Sequence, residues 1–190
     1  MSSKKPWETH PDLWKTEAAW LSYVRGGIRR GLWKNYGPKL KFLKSRAKLV
    51  DNPNPKSQKR FPKVKMWQCE QCGEWFTSKD VNVDHRTGNN SLRCVEDIGS
   101  FVEAMLLDCS FDDYAILCVE CHKIKSHSDS KGISFEEAEV DKIALSLCKK
   151  KLDIAWLKAH NITPASSAPK RRAQIREILM EELKNGNSSN

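Results

Sequence analysis

No stretch of this chain approaches the roughly 20 apolar residues a membrane helix needs. The opening Met-Ser-Ser-Lys-Lys-Pro-Trp carries no apolar signal-peptide core. Both absences argue against secretion and membrane insertion, so a cytoplasmic protein is expected. Apolar residues are also scarce, at 39% of 190, so the core should be small and should gain from a metal staple. Acidic residues are nearly missing from the first third. Residues 1–65 hold 17 Lys/Arg against 4 Asp/Glu, whereas the remainder holds 16 against 20. The net charge of +9 and pI near 9.2 therefore belong mainly to the N-terminus. They call for a polyanionic partner, with nucleic acid the first choice and an acidic membrane surface the second. No internal repeat is present.

Seven cysteines are an odd number, and in a reducing compartment they are not disulfide staples. Four form two pairs, Cys69-Glu-Gln-Cys72 and Cys118-Val-Glu-Cys121. Two Cys-x-x-Cys loops supply the four thiolates of a tetrahedral zinc site, with Zn–S distances of about 2.3 Å. A redox dithiol is the competing reading. Gly73, directly after Cys72, suits the tight turn of a zinc knuckle. Asp84-His85 lies in the gap between the pairs and His122 abuts the last cysteine, which points to a second, catalytic metal beside a structural zinc. Cys94, Cys109 and Cys148 read as small buried apolar residues.

Five segments are expected. Residues 1–50 form a basic, Trp-rich helical arm, with one helix over 13–34 weakened at Gly26-Gly27 and a second from Pro38 to Lys48 using Leu40 and Leu43 as contacts. Arg25, Arg29 and Arg30 are candidate phosphate contacts, and a Trp of the arm either stacks on a base or forms its small core. Residues 51–65, with three prolines, read as an extended basic linker without helix, carrying Lys59 and Arg60 as further phosphate candidates.

Residues 66–128 form the metal core. Trp75-Phe76 and residues 81–83 are two short strands, residues 95–109 an amphipathic helix, and residues 114–117 a second core strand leading into Cys118. A helix begins after Cys121, carrying His122, Lys123 and Lys125. The two lysines contact phosphate or simply solubilise it. His127 is expected as an exposed helix residue, or as a second imidazole ligand. Residues 129–185 are helical. Ser134 and Glu137 form a capping box. The helix behind it runs on to Ala159, with Ala138, Val140, Ile143, Ala144, Leu147, Ile154 and Leu157 inward. A last helix follows from Pro169 to Leu183. Its basic start at Lys170, Arg171 and Arg172 opposes the helix macrodipole, which suits a nearby phosphate or a simple exposed cluster. Residues 186–190 are a disordered tail.

The run Val83-Asp84-His85-x-x-Gly88-Asn89-x-Ser91-Leu92, followed by Ile116-Leu117-Cys118-x-x-Cys121-His122-Lys123-x-Lys125, resembles the HNH endonuclease family in its four-cysteine zinc subtype. The Trp-rich basic N-terminus and the late Trp156-Leu157…Ile162-x-Pro164-Ala165 stretch resemble the free-standing, homing-type members of bacteriophages. The core resemblance covers residues 66–128. It implies an α+β, mostly helical fold with a zinc-stapled ββα-metal core and helical extensions at both ends. It also implies metal-dependent hydrolysis of double-stranded DNA, with no small-molecule cofactor, by a monomer or weak dimer. By position His85 is the general base, and Asp84 and His122 hold Mg²⁺ or Mn²⁺. Asp113 stands where the family has an Asn that positions the base. An Asp accepts but does not donate when ionised, and Asn89 or Asn90 is a candidate substitute for it. The alternatives are a zinc-stapled DNA-binding protein with a decayed site and, from charge and cysteines alone, an RNA-binding zinc ribbon.

Overall fold

The computed structural model describes residues 4–87, 91–107 and 110–187, excepting the side chains of 186 and 187. It is an α+β structure with small sheets, and it divides into two compact units, Met1–His122 and Lys123–Asn190. Among the described residues no helix is long and apolar enough to cross a membrane.

In the first unit, α1 (Pro6–Thr9) precedes α2 (Glu17–Gly27). The Thr16 side chain accepts from the Ala19 N–H, so this helix starts at its cap and not at Leu13. After the Gly26-Gly27 pair the chain continues as a π-helical segment, Ile28–Trp33, closed by a bond from Lys34 N to Arg29 O of 3.0 Å. Leu13 and Leu32 are exposed, and Leu21 is the buried anchor. Next comes α3 (Gly37–Ser45), with Pro38 in its first turn. It stops before Lys48 because that residue opens β1 (Lys48–Asp51). Its buried contact is Phe42, while Leu40 is exposed.

The expected linker is a paired hairpin instead. β1 runs antiparallel to β2 (Lys63–Gln68), from Lys48 opposite Met66 to Asp51 opposite Lys63. Between them lies a single turn, α4 (Pro55–Gln58), capped by Asn54. Pro55 sits in the first turn, where its missing N–H costs nothing. Buried Asn52 closes the hairpin: its Nδ2 donates to Ser57 Oγ (3.0 Å) and Phe61 O (2.8 Å), and its Oδ1 accepts from Asn54 N (3.0 Å).

β3 (Trp75–Phe76) joins the end of β2, whereas β4 (Val81–His85) pairs antiparallel with β5 (Tyr114–Cys118). The two short segments around residues 77–80 thus enter different sheets. The segment between β4 and β5 holds a 3-10 turn, Val95–Asp97, and α5 (Ile98–Leu106). Cys109, the end of the expected helix, lies outside the described residues. α6 (Val119–Lys131) starts directly after Cys118, ahead of the expected position. One core cluster gathers Phe42, Trp67, Val81, Val83, Tyr114 and Ile116, and a second joins Leu21 of α2 to Leu92 and Phe101.

The second unit is helical: the latter part of α6, then α7 (Phe135–Lys149), α8 (Asp153–Ala159) and α9 (Ala168–Asn187). The Ser134–Glu137 capping box is present, with Glu137 N donating to Ser134 Oγ at 3.1 Å and Ser134 N to Glu137 Oε2 at 2.9 Å. The helix does not run on to Ala159. It breaks at Lys151, whose φ is +59°. That break turns Ile154 outward, and Ile143 is also exposed. The core is Ala144, Leu157 and Ile175, with Trp156, Ile162, Ile178 and Leu179 packed around them.

Candidate metal centre and catalytic site

The first cysteine pair sits on a tight turn. Cys69 N donates to Glu74 O (2.8 Å) and Gly73 N to Cys69 O (2.9 Å), with Gly73 at φ +75°, the left-handed region where a Cβ is strained. The second pair spans a strand end and a helix start: Cys118 closes β5, Cys121 lies in the first turn of α6, and the Cys121 N–H reaches Cys118 Sγ at 3.3 Å. Glu70 locks the turns together. Its N–H donates to Ile116 O (2.8 Å), and its Oε1 accepts from Ile116 N (3.0 Å).

The four Sγ atoms lie within 4.8 Å of one another, with Cys69, Cys118 and Cys121 buried and Cys72 exposed. A Zn–S bond of about 2.3 Å gives a tetrahedron edge of about 3.8 Å, so the four cysteines can hold a metal ion such as zinc. Burial pushes the Cys69 thiol up, but backbone hydrogen bonds at Cys118, Cys72 and Gln71 outweigh it and bring the thiol down to about 7. Burial and the neighbouring sulfurs push Cys121 up, and burial also leads the rise at Cys72. Without a cation, one thiolate opposes the ionisation of its neighbours. A divalent ion reverses that.

At the other end of β4, the staple brings His122 to Asp84, with Nε2 3.9 Å from Oδ2. Both side chains are partly exposed, which leaves room for further ligands. His85 is the last residue of β4, opposite Tyr114. Its ring packs against Trp33, with centroids 4.6 Å apart and planes at 30°, and against the edge of Tyr114 at 5.4 Å. Trp33 is itself braced by Tyr36 and Tyr114, and Lys39 Nζ lies 5.0 Å from its ring. Four tryptophans in the arm gave no sign of which one meets the site. The selecting feature is the π-helical segment that ends at Trp33.

The Asp113 carboxylate is engaged by Ser110. Its Oδ2 accepts from Ser110 N (2.8 Å) and Ser110 Oγ (2.7 Å). These bonds hold its pKa below the ordinary carboxyl value, with burial opposing and the His85 charge assisting. Its backbone carbonyl accepts from Arg86 N at 2.8 Å and so fixes the end of β4. Asn89 and Asn90 lie outside the described residues.

The candidate cations divide. Arg25 is structural, donating from Nη2 to Leu92 O at 2.6 Å. Arg29, Arg30, Lys59 and Arg60 are exposed. In the second unit Lys123 is exposed, while Lys125 pairs with Asp129 at 2.6 Å. His127 is not an exposed helix residue: its Nε2 lies 2.6 Å from Oδ2 of buried Asp141. The basic start of α9 is also partly internal. Arg171 Nε is 2.6 Å from buried Asp153, and Arg172 and Arg176 lie 3.3 and 3.4 Å from Asp141 Oδ1. Cys94 and Cys148 are only partly buried. No family model, no curated protein and no solved structure matches the chain.

Proposed function

We propose that this chain is a metal-dependent endonuclease of the HNH type, hydrolysing phosphodiester bonds in double-stranded DNA. The observation that carries this reading is the meeting of Asp84, on β4, and His122, in the first turn of α6, at 3.9 Å beside His85, next to four clustered cysteines. One carboxylate and one imidazole with solvent-exposed surroundings suit Mg²⁺ or Mn²⁺, which would stabilise charge developing on the phosphate and the leaving 3′ oxygen. His85 takes the proton from the attacking water, a task to which a neutral imidazole is suited. Trp33 and Tyr114 hold its ring against rotation, the task the family gives to an Asn.

The test is cleavage of supercoiled plasmid with Mg²⁺ or Mn²⁺, and without either. His85→Ala should lose about 10²-fold or more in rate while keeping zinc and DNA affinity. Trp33→Ala should lose about tenfold, and Trp33→Phe should recover most of it. A His85→Ala protein that cleaves like its parent would overturn the mechanism. The second reading is a DNA-binding protein with a decayed site, favoured by the engagement of the Asp113 carboxylate with Ser110. It predicts salt-sensitive binding with no metal-stimulated nicking.

A further inference from the structure

On the first unit, outside the Asp84–His85–His122 centre, lies an open groove of about 360 Å³. Three of its lining residues are cations, Arg46, Lys48 and Arg86. Gln68 and Trp75 complete a polar and aromatic floor, and Glu70 is its one acid. Strand register builds this floor. Lys48 is opposite Met66 and Gln68 is opposite Trp75, so these residues share one face of the β1–β2–β3 sheet, two positions apart along β2.

Each cation has a contact within the first unit. Lys48 Nζ lies 5.2 Å from the Trp75 ring centroid, and the Arg46 guanidinium lies 5.3 Å from the Phe42 ring. Arg86 donates from Nε to Asp112 O at 2.9 Å and from Nη2 to Glu70. Glu70 is in turn fixed by the Ile116 N–H, so its carboxylate neutralises only one of the three positive charges. Arg86 directly follows His85, the last residue of β4.

We propose that this groove seats a phosphodiester group of the bound nucleic-acid strand, flanking the one positioned at Asp84 and His122. The proposal rests on the nucleic-acid reading above and adds a specific phosphate subsite to it. Arg46 and Lys48 supply the charge, and Arg86 supplies a guanidinium fork aligned by Glu70.

The experiment uses the full chain carrying His85→Ala, without added Mg²⁺ or Mn²⁺, and follows a fluorescently labelled duplex by anisotropy across a salt series. Arg46→Ala combined with Lys48→Ala should raise Kd about tenfold and lower the slope of log K against log salt by about 2. Lys149→Ala combined with Lys150→Ala removes the same charge from exposed sites in the other unit and should leave the slope unchanged. Unchanged zinc content and melting temperature certify folding. Equal affinity and slope for the groove variant and its parent would overturn the subsite. So would an equal loss in the Lys149/Lys150 control. If a free mononucleotide binds as tightly as the duplex and is equally sensitive to the groove variant, the strand is not the ligand and the proposal falls. A parent protein that binds the duplex in no salt-dependent way removes the nucleic-acid reading itself. That outcome is distinct from a failure of the groove alone.

Discussion

The two units reach closure by different chemistry. In Met1–His122 the sheets are short, the buried apolar clusters are small, and four sulfurs within 4.8 Å join Cys69–Cys72 to Cys118–Cys121 across a long stretch of chain. In Lys123–Asn190 there is no such cluster among the described residues. Helices pack around Ala144, Leu157 and Ile175, and two buried aspartates meet arginines from α9. The first unit should therefore depend on a bound ion, and the second on its own side chains and backbone caps. A cross-link by metal favours the folded state because the unfolded chain offers no assembled site.

Metal removal is the strongest way to break this contrast. Structural zinc in small domains supplies on the order of 10–16 kcal/mol, more than a small domain's whole stability. Stripping it with a tight chelator should unfold the first unit and leave the helical signal of the second. Hydrogen exchange resolved by segment reads this directly. Loss of protection confined to the first unit is expected, and retained protection there would remove the metal from the account of its stability.

The second unit has its own weak point in Asp141, which is 3% exposed and shared among His127, Arg172 and Arg176. Asp141→Ala would leave those partners without their anion. Because Arg172 and Arg176 are partly exposed and can rehydrate, the expected loss is about 2–4 kcal/mol, read as a lower denaturant midpoint for the second unit alone. The same site sets an acid limit. Burial pushes the Asp141 carboxyl up, but the His127 hydrogen bond and the Arg172 and Arg176 charges outweigh it, so its pKa lies below the ordinary value. Asp153 is lowered first by its hydrogen bond from Arg171, against burial. A folded-state pKa below the unfolded value of about 3.9 gives stability that is present above that pH. It is lost as pH falls through the folded value. The second unit should thus weaken below about pH 4, and Asp141→Asn should flatten part of that slope. An acid slope unchanged by Asp141→Asn would show that the carboxylate is not its source.

How much of this was legible in the chain depends on the range of each signal. The cysteine turns, the β4 and β5 strands and the Ser134–Glu137 cap are written within a few residues each, and the structure has them. The β1–β2 pairing was not legible, because it joins segments across Asn-Pro-Asn-Pro and depends on buried Asn52, a residue whose composition reads as loop. The contact of Trp33 with His85 links segments 52 positions apart, and no local pattern chooses it over the other tryptophans. Nothing local marks Asp141 and Asp153 as buried, because their arginine partners lie a helix away. Among the candidate site residues, the cysteines and the Asp84–His122 pair were nameable from spacing. The groove residues were not, since Arg46 caps α3, Lys48 opens β1 and Arg86 follows β4, and no local pattern brings those segments together.

The finest contrast lies within the second unit, where three helix ends carry a left-handed residue and two of them, after α7 and α8, close with the same pair of backbone bonds. Gly132, Lys151 and Asn161 have φ of +64°, +59° and +59°. After α7, Leu152 N donates to Leu147 O at 2.9 Å and Lys151 N to Cys148 O at 3.1 Å. After α8, Ile162 N donates to Leu157 O and Asn161 N to Lys158 O, both at 3.0 Å. This is the Schellman pattern, in which the left-handed residue is usually glycine. Lysine there bears the full Cβ penalty of about 1–2 kcal/mol, whereas asparagine tolerates the conformation better. Glycine would remove the penalty but would add about 0.4–1 kcal/mol of unfolded-chain entropy. Lys151→Gly should therefore stabilise the second unit by about 0.5–1 kcal/mol, and Asn161→Gly by less. Paired thermal melts of the two variants measure the difference. A destabilised Lys151→Gly would mean that the lysine side chain contributes contacts outweighing its backbone strain, and the break between α7 and α8 would then owe its position to packing and not to the backbone cap.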